Sequence, residues 1–454
     1  MLPGARGRGL AHPAARGRVR PRARPRGGRR LYRARARGLL TGSPAGVRDV
    51  LRHRDLSLVL AAFLTEGFAA QMMAVAVGWQ VYELSGDPLD LGLIGLAEFL
   101  PLLLLALPAG QLADHVSRRR LYAAAIVGEL AVALVLLVLT LRGPSQVWPF
   151  FVLAFVIGVA GALGAPASRA ITPTLVPTTL LTRALALRSV AFQVAAVSGP
   201  AVGGLLFAVE PVSVYAIAAA LCAAAAASVL AMRERGPARS GWEGAPGLSR
   251  VLGGVRFIRR SPVLLGAISL DLVAVLLGGA VALLPVFAQD VLHVGPVGLG
   301  ILRSAPAVGA LLAAVALTRR PVGRAAGRKL LVVVGLFGAS MVVFGLSRSL
   351  WLSVAALAAG GAVDMVSVNL RLTLVALVPP DELRGRVTAV EMVFISASNE
   401  LGAFESGLAA ALIGAVPAVV AGGLATIGVA LLWARLFPAL ARVDRLESLR
   451  PAPD

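Results

Sequence analysis

Cysteine is almost absent: the 454-residue chain has one, Cys222, inside an apolar run. A disulfide framework and a cysteine-built metal site are therefore excluded. The four histidines, His12, His53, His115 and His293, are scattered without metal-ligand spacing. The one lysine stands in Gly327-Arg328-Lys329-Leu330, which is not a phosphate-cradling loop. No ATP-hydrolysing P-loop is present and no cofactor is expected. Charge is scarce as well. Charged residues make up 15% of the chain and hydrophobic ones 57%, with a mean hydropathy of +0.82. An ordinary soluble domain is about a quarter charged, so a soluble enzyme is the wrong class.

The charge that exists is lopsided, with a net +21. Residues 1–50 carry fourteen arginines against one acid, Asp49, and hold +13 of it, leaving +8 for the rest. That segment is rich in Gly, Pro and Ala and lacks apolar periodicity, so it reads as a disordered tail unable to bury a core. Only Tyr32 could stack on a base, and no nucleic-acid partner is expected. It has no apolar run of the kind that marks a signal peptide.

Beyond the tail, apolar runs of about 20 residues recur, the length needed to cross roughly 30 Å of hydrocarbon. Twelve are read: 55–82, 89–112, 119–141, 147–169, 185–208, 212–232, 262–287, 297–318, 329–347, 351–378, 386–411 and 415–437. The long polar interval is 233–261. It separates an N-terminal half, 51–232, from a C-terminal half, 262–438, followed by a tail, 439–454. The expected fold class is an all-α polytopic membrane protein of twelve helices in two six-helix halves. Arg118, Arg119, Arg120, Arg183, the 233–260 cluster, Arg319 to Lys329, Arg384 and Arg386 all fall on one side. Only Arg142 and Arg348 fall on the other, beside Glu83, Asp87, Asp90, Glu210 and Asp290. The positive-inside rule then puts both termini in the cytoplasm of a multi-pass cell-membrane protein. Trp79, Trp148, Trp351 and Trp433 fall at span ends, as an interfacial belt requires.

The chain repeats itself. Leu180, Arg183, Ala186, Gly199, Gly204, Leu205 and Ala208 match Leu383, Arg386, Ala389, Gly402, Gly407, Leu408 and Ala411 at a constant offset of 203. Leu175-Val176-Pro177 matches Leu377-Val378-Pro379 at an offset of 202. The pattern is that of a duplicated six-helix unit, a transporter architecture.

Two motifs carry mechanism. After the second span, Gly110, Asp114, Arg118 and Arg119 stand in a fixed Gly-x-x-x-Asp-x-x-x-Arg-Arg spacing. A glycine permits close helix approach, and an acid followed by bases can bond a neighbouring helix end in one conformation and release it in another. The fifth span carries Gly199, Pro200, Gly203 and Gly204, a proline with three glycines for tight helix contact. The first motif resembles the signature loop of the major facilitator superfamily, with His115 and Ser117 in place of its usual base and glycine. The second resembles the superfamily's antiporter motif, which marks exporters. Gly78 to Tyr82, Gly164 to Arg169, Leu270 to Gly279, Arg384 to Val387 and Ser398 to Gly407 are similar to the enterobactin-exporter-like branch, the transmembrane secretion effectors. The likeness covers residues 48–440. It implies export of a siderophore or drug-like small molecule, driven by proton exchange. One departure bears on coupling: many proton-coupled drug antiporters carry an arginine inside span four, and here none precedes Arg169.

Ionisable groups inside a membrane are costly and are functional candidates by default. The first half offers Glu66, Glu98 and Glu129; the second offers Asp271, Arg303, Asp364, Arg371, Glu391, Glu400 and Glu405. Glu391, Ser398 and Glu405 are seven apart and form one stripe, and Asp364 and Arg371 share a face. Asp271 and Arg303 fall at similar depth and are expected to pair. Glu66 and Glu98 lack a basic partner in their own half and lead as sites for a proton or a cationic substrate. Phe68, Gln71, Phe99, Phe192, Gln193, Asn369 and Asn399 are expected to line a large, mostly apolar cavity. The inner loops with Asp114 and Arg118, and with Asp381, Arg384 and Arg386, are expected to act as gates. The partners expected are a small-molecule substrate, protons and the lipid bilayer, around a monomer. An uptake facilitator is the alternative within the class. A polytopic membrane enzyme is the alternative outside it, and would need a histidine or metal constellation that four scattered histidines do not supply.

Overall fold

The structure, a computed structural model, describes residues 52–233, 247–320 and 323–444, without the side chains of 106–115 and 247–252. The Arg-rich segment 1–50, the linker residues 234–246 and the last ten residues lie outside that description. Twelve long helices follow one another: α1 (Arg54–Ser85), α2 (Pro88–His115), α3 (Arg118–Arg142), α4 (Trp148–Leu175), α5 (Thr178–Val209), α6 (Pro211–Leu230), α7 (Pro262–Val291), α8 (Gly295–Arg319), α9 (Ala326–Leu346), α10 (Leu350–Leu377), α11 (Asp381–Ile413) and α12 (Ala415–Leu436). Among the described residues, eleven of them are long and apolar enough to cross a membrane. The twelfth, α11, has 33 residues and so spans about 50 Å. Its charges at Glu391, Glu400 and Glu405 dilute its hydropathy.

Several helices outrun their apolar stretches. The second continues to His115 and the eleventh begins at Asp381. Hydropathy stops at the first charge, whereas a helix stops where its backbone is capped. Ser117 does this at the start of α3, its Oγ accepting the Arg120 backbone N–H at 3.2 Å. The seventh span is interrupted: its α-helical part ends at Gly278, and a 3-10 turn (Ala280–Leu283) and a π turn (Phe287–Val291) complete it.

The sequence repeat appears as a packing repeat. A Cβ on Gly199 of α5 would lie 2.7 Å from Gln71 Cβ of α1. Its partner Gly402 in α11 would meet Leu276 Cα of α7 at 3.3 Å. The second matched pair joins the halves. A Cβ on Gly204 would lie 3.0 Å from Gly300 Cα of α8, and one on Gly407 would lie 2.8 Å from Gly92 Cα of α2. Only glycine permits these backbone approaches. All of these inter-half glycines lie away from the end where the linker joins the halves. At that same far end Tyr82 donates its hydroxyl proton to Asp290, and Gln289 Nε2 reaches Trp79 O at 3.5 Å.

The polar segments around the halves carry structure too. Within the expected linker, Gly247–Arg260 forms a helix; its Ile258 is buried, and Gly254 backs onto the Arg386 backbone of α11. Past α12, residues 438–444 fold back onto α9. Asp444 Oδ1 accepts the Ala325 N–H at 2.9 Å, and Asp444 O and Val443 O accept those of Ala326 and Gly327. These are donors that a helix start leaves without partners.

Candidate functional site

Between the two halves lies a cavity of about 640 Å³. Both halves wall it: Gln71, Glu98, Glu129 and Phe150 come from the first, and Arg303, Phe337, Asp364, Asn399 and Glu400 from the second. The broken part of α7, Gly278 to Ala282, forms another wall. There the interruption at Gly279 exposes backbone polar groups where they face a cavity and not lipid. The Glu98, Arg303 and Glu400 side chains lie within electrostatic reach of one another, so one guanidinium serves two carboxyl groups from opposite halves.

Two further charged clusters sit inside the halves. In the second half Arg371 is buried, 2% exposed, and its Nε donates to Glu391 Oε1 at 3.1 Å. Its other arm is ion-paired with Asp271. The expected partnership of Asp271 with Arg303 is thus overturned. Asp271 lies nine residues from the linker-side end of α7 and Arg371 six from the same-side end of α10, whereas Arg303 lies sixteen from that end of α8, so Arg371 is the nearer in depth and Arg303 stays in the cavity wall. Asp364 lines both the cavity and a small void that Asp271 also borders, with Phe337 between. Ser398 and Glu391 of the α11 stripe are buried, and Glu405 lies beside Ser406.

In the first half the expected isolation of Glu66 is also overturned. The Tyr122 hydroxyl of α3 donates to it, and Arg188 of α5 lies within electrostatic reach. Arg188 turns its guanidinium to α4, donating to Ser168 O at 2.6 Å and to Ser168 Oγ at 2.9 Å, and lies 4.4 Å above the Phe63 ring. Sequence inspection missed Arg188 and Tyr122. Arg188 falls just inside the start of the apolar run 185–208, where one arginine near a span end is unremarkable. Glu66 does not line the cavity, whereas Glu98 and Glu129 do. Glu129 Oε2 is shut off from solvent and has no hydrogen-bond partner among the described residues.

The remaining candidates divide. Gln193 crosses between halves, its Nε2 donating to Ala307 O at 2.6 Å. Phe192 and Asn369 are exposed, contrary to their expected place in the cavity wall. Neither is among the residues that line the cavity. Phe99 is buried and Phe68 packs against the core. Arg118 donates to Ala170 O of α4 at 3.0 Å and Arg119 to Leu230 O of α6 at 2.6 Å, cations at helix C-terminal ends of their own half. The side chains of Gly110 and Asp114 lie outside the described residues. Arg384 pairs with Asp381 one turn away on the same helix, at 2.6 Å. Arg386 packs along the linker helix at Gly253 and Gly254. In the antiporter-like motif, Gly199 and Gly203 seat α5 on α1 at Gln71 and Met72, while the Pro200 carbonyl and Gly204 face α8.

Comparison with known proteins follows the same lines. The family described as transmembrane secretion effector matches residues 49–453. The multidrug efflux pump Tap of Mycolicibacterium fortuitum is 30% identical over 368 residues, 78% of this chain and 88% of the relative. The enterobactin exporter EntS of Shigella dysenteriae serotype 1 is 29% identical over 401 residues, 87% of this chain and 92% of the relative. Among solved structures, the nucleoside transporter NupG superposes with a TM-score of 0.64 at 14% identity, covering 86% of this chain and 99% of its own. An inward-facing bacterial homologue of the lysosomal transporter Spinster gives 0.67 at 14% identity, covering 88% and 99%. Likeness at that identity speaks for the fold alone.

Proposed function

The chain belongs to the transmembrane secretion effector family of the major facilitator superfamily, and on that premise we propose that it exports a siderophore or drug-like molecule in exchange for protons. It is a multi-pass membrane transporter of small molecules and not an enzyme. The observation that carries the export reading is a charged cavity between two halves whose closest mutual contacts lie at one end. That geometry suits alternating access, in which the halves rock about a midplane site. With both termini and the linker in the cytoplasm, the glycine contacts and the Tyr82–Asp290 bond close the outer face. The substrate then reaches the cavity from inside.

Protons have several stations in this reading. Glu98 and Glu400 share Arg303 across the halves, and Asp364 opens toward the Asp271–Arg371–Glu391 cluster. Gln71, Gln193 and Asn399 add hydrogen bonding. The Arg118 and Arg119 bonds to the ends of α4 and α6 tie the first half together on the cytoplasmic side. Arg188, reaching α4 from α5, supplies a half-buried guanidinium that span four itself lacks. The unit that works is a monomer in the lipid bilayer, with the segment 1–50 and the C-terminal tail accessory to it.

Everted membrane vesicles test the proposal. Acidifying the lumen is expected to drive uptake of a fluorescent efflux substrate, and a protonophore to abolish it. Uptake that ignores the pH gradient, or net movement only in right-side-out vesicles, would overturn export by antiport.

A further inference from the structure

The cavity's charge does not balance. Among the described residues its wall holds four carboxyl groups, Glu98, Glu129, Asp364 and Glu400, against one guanidinium, Arg303. Arg303 already faces two of the acids, Glu98 and Glu400. Asp364 lies near Arg371, but that arginine is engaged by Asp271 and Glu391. Glu129 comes from the first half, and among the described residues its Oε2 has no hydrogen-bond partner although it is closed to solvent. Its charged neighbour is another acid, Glu66, which is occupied by Tyr122. A buried acceptor without a donor costs free energy that a ligand recovers. Between low-dielectric walls an excess of one sign concentrates counter-ions of the other. Apart from Gln71 and Asn399 the rest of the described wall is apolar, with Phe150 and Phe337 rings, faces that attract cations. At 640 Å³ the space suits a drug-sized molecule.

We infer that the transported molecule is an amphiphilic organic cation, bound between Glu129 of the first half and Asp364 of the second. The inference rests on the export reading, since the site is the same cavity, and narrows it. A polyanionic siderophore would add negative charge to an already acidic wall, whereas a cation supplies what the wall lacks. Protons and the cation compete for the same carboxyl groups, so entry of one releases the other and exchange needs no separate coupling device. The groups facing that competition are Glu66, Tyr122 and Arg188 beside Glu129, Asp271, Arg371 and Glu391 beside Asp364, and Arg303 with Glu98 and Glu400.

The test is binding to the full chain in lipid nanodiscs, with empty discs subtracted. Two ions of nearly the same size and shape and opposite charge serve as probes, tetraphenylphosphonium and tetraphenylborate. The phosphonium is expected to bind saturably and at least ten-fold more tightly than the borate. Glu129→Gln and Asp364→Asn are each expected to weaken it five-fold or more in monodisperse protein. Equal binding of the two ions, tighter binding of the borate, or unchanged phosphonium affinity in the double variant would overturn the inference. Should a variant aggregate, the comparison of the two ions on the unaltered chain decides alone. Everted vesicles separate the two readings. Accumulation of an anionic or neutral probe but not the cation leaves export standing and sinks the cation site. Loss of all gradient-driven movement, with phosphonium binding intact, sinks export instead.

Discussion

Removing Arg371 leaves Asp271 and Glu391 buried together with no counter-charge. Breaking a buried ion cluster from one side costs about 3–5 kcal/mol. Arg371→Met is therefore expected to lower the unfolding temperature steeply in detergent. Adding Asp271→Asn and Glu391→Gln to it is expected to restore most of the loss. In the first half, Tyr122→Phe and Glu66→Ala each remove the same hydrogen bond, so their effects on transport are expected to be non-additive in a double-mutant cycle. Additive losses would mean that the two residues act apart. At this scale the sequence was informative about which residues are out of place in a membrane, and poor about who meets whom. Asp271 and Arg303 were matched by counting residues along apolar runs with soft ends, yet the helices place Arg303 about two turns deeper, and Arg371, near the same end as Asp271, is its partner. Tyr122 and Arg188 left no periodic trace, because one tyrosine and one arginine near a span end are unremarkable until Glu66 and Ser168 are brought beside them.

Glycine decides how helices of opposite halves meet. A side chain at Gly204 or Gly407 would collide with backbone at Gly300 or Gly92. An overpacked contact of this kind costs about 1–3 kcal/mol, enough to bias the two conformations toward the one open at the far end. Gly204→Val or Gly407→Val is expected to cut transport ten-fold or more while the protein still folds. Gly428→Ala, where an added Cβ meets nothing within 4 Å, is expected to leave transport unchanged. Tyr82→Phe removes the far-end bond to Asp290 and is expected to loosen the same closure more mildly. Spin labels at the far ends of α1 and α7 would report it as a broadened distance distribution. Elements were largely legible: the offset of 203 paired Gly204 with Gly407 before their shared role between the halves was known. What the sequence concealed was the break in α7 at Gly279 and the helix Gly247–Arg260 inside a polar stretch. Both depend on tertiary contacts, the first with the cavity and the second with α11.

Across the whole molecule the net +21 separates into unlike parts. The +13 of residues 1–50 belongs to a segment with no expected partner, and deleting residues 1–46 is expected to leave transport and membrane localisation intact. Among the loop arginines, Arg118 and Arg119 bond the ends of α4 and α6. Inside the membrane the sign reverses, and the cavity is acidic. Composition exposed the first two facts, because charge runs are local. A mildly acidic cavity was expected, but which acids share it was concealed, because they come from α2, α3, α10 and α11 and meet only in the fold. The central claim is that these groups exchange an outgoing molecule for incoming protons. Proteoliposomes containing the purified chain, loaded with a pH-sensitive dye and with the membrane potential clamped at zero, test it most directly with tetraphenylphosphonium as the probe. An acidic lumen is predicted to draw the probe in while the lumen alkalinises in step, and inverting the gradient is predicted to reverse both fluxes. Probe movement with no matching proton flux, or proton flux indifferent to the probe, would contradict the account.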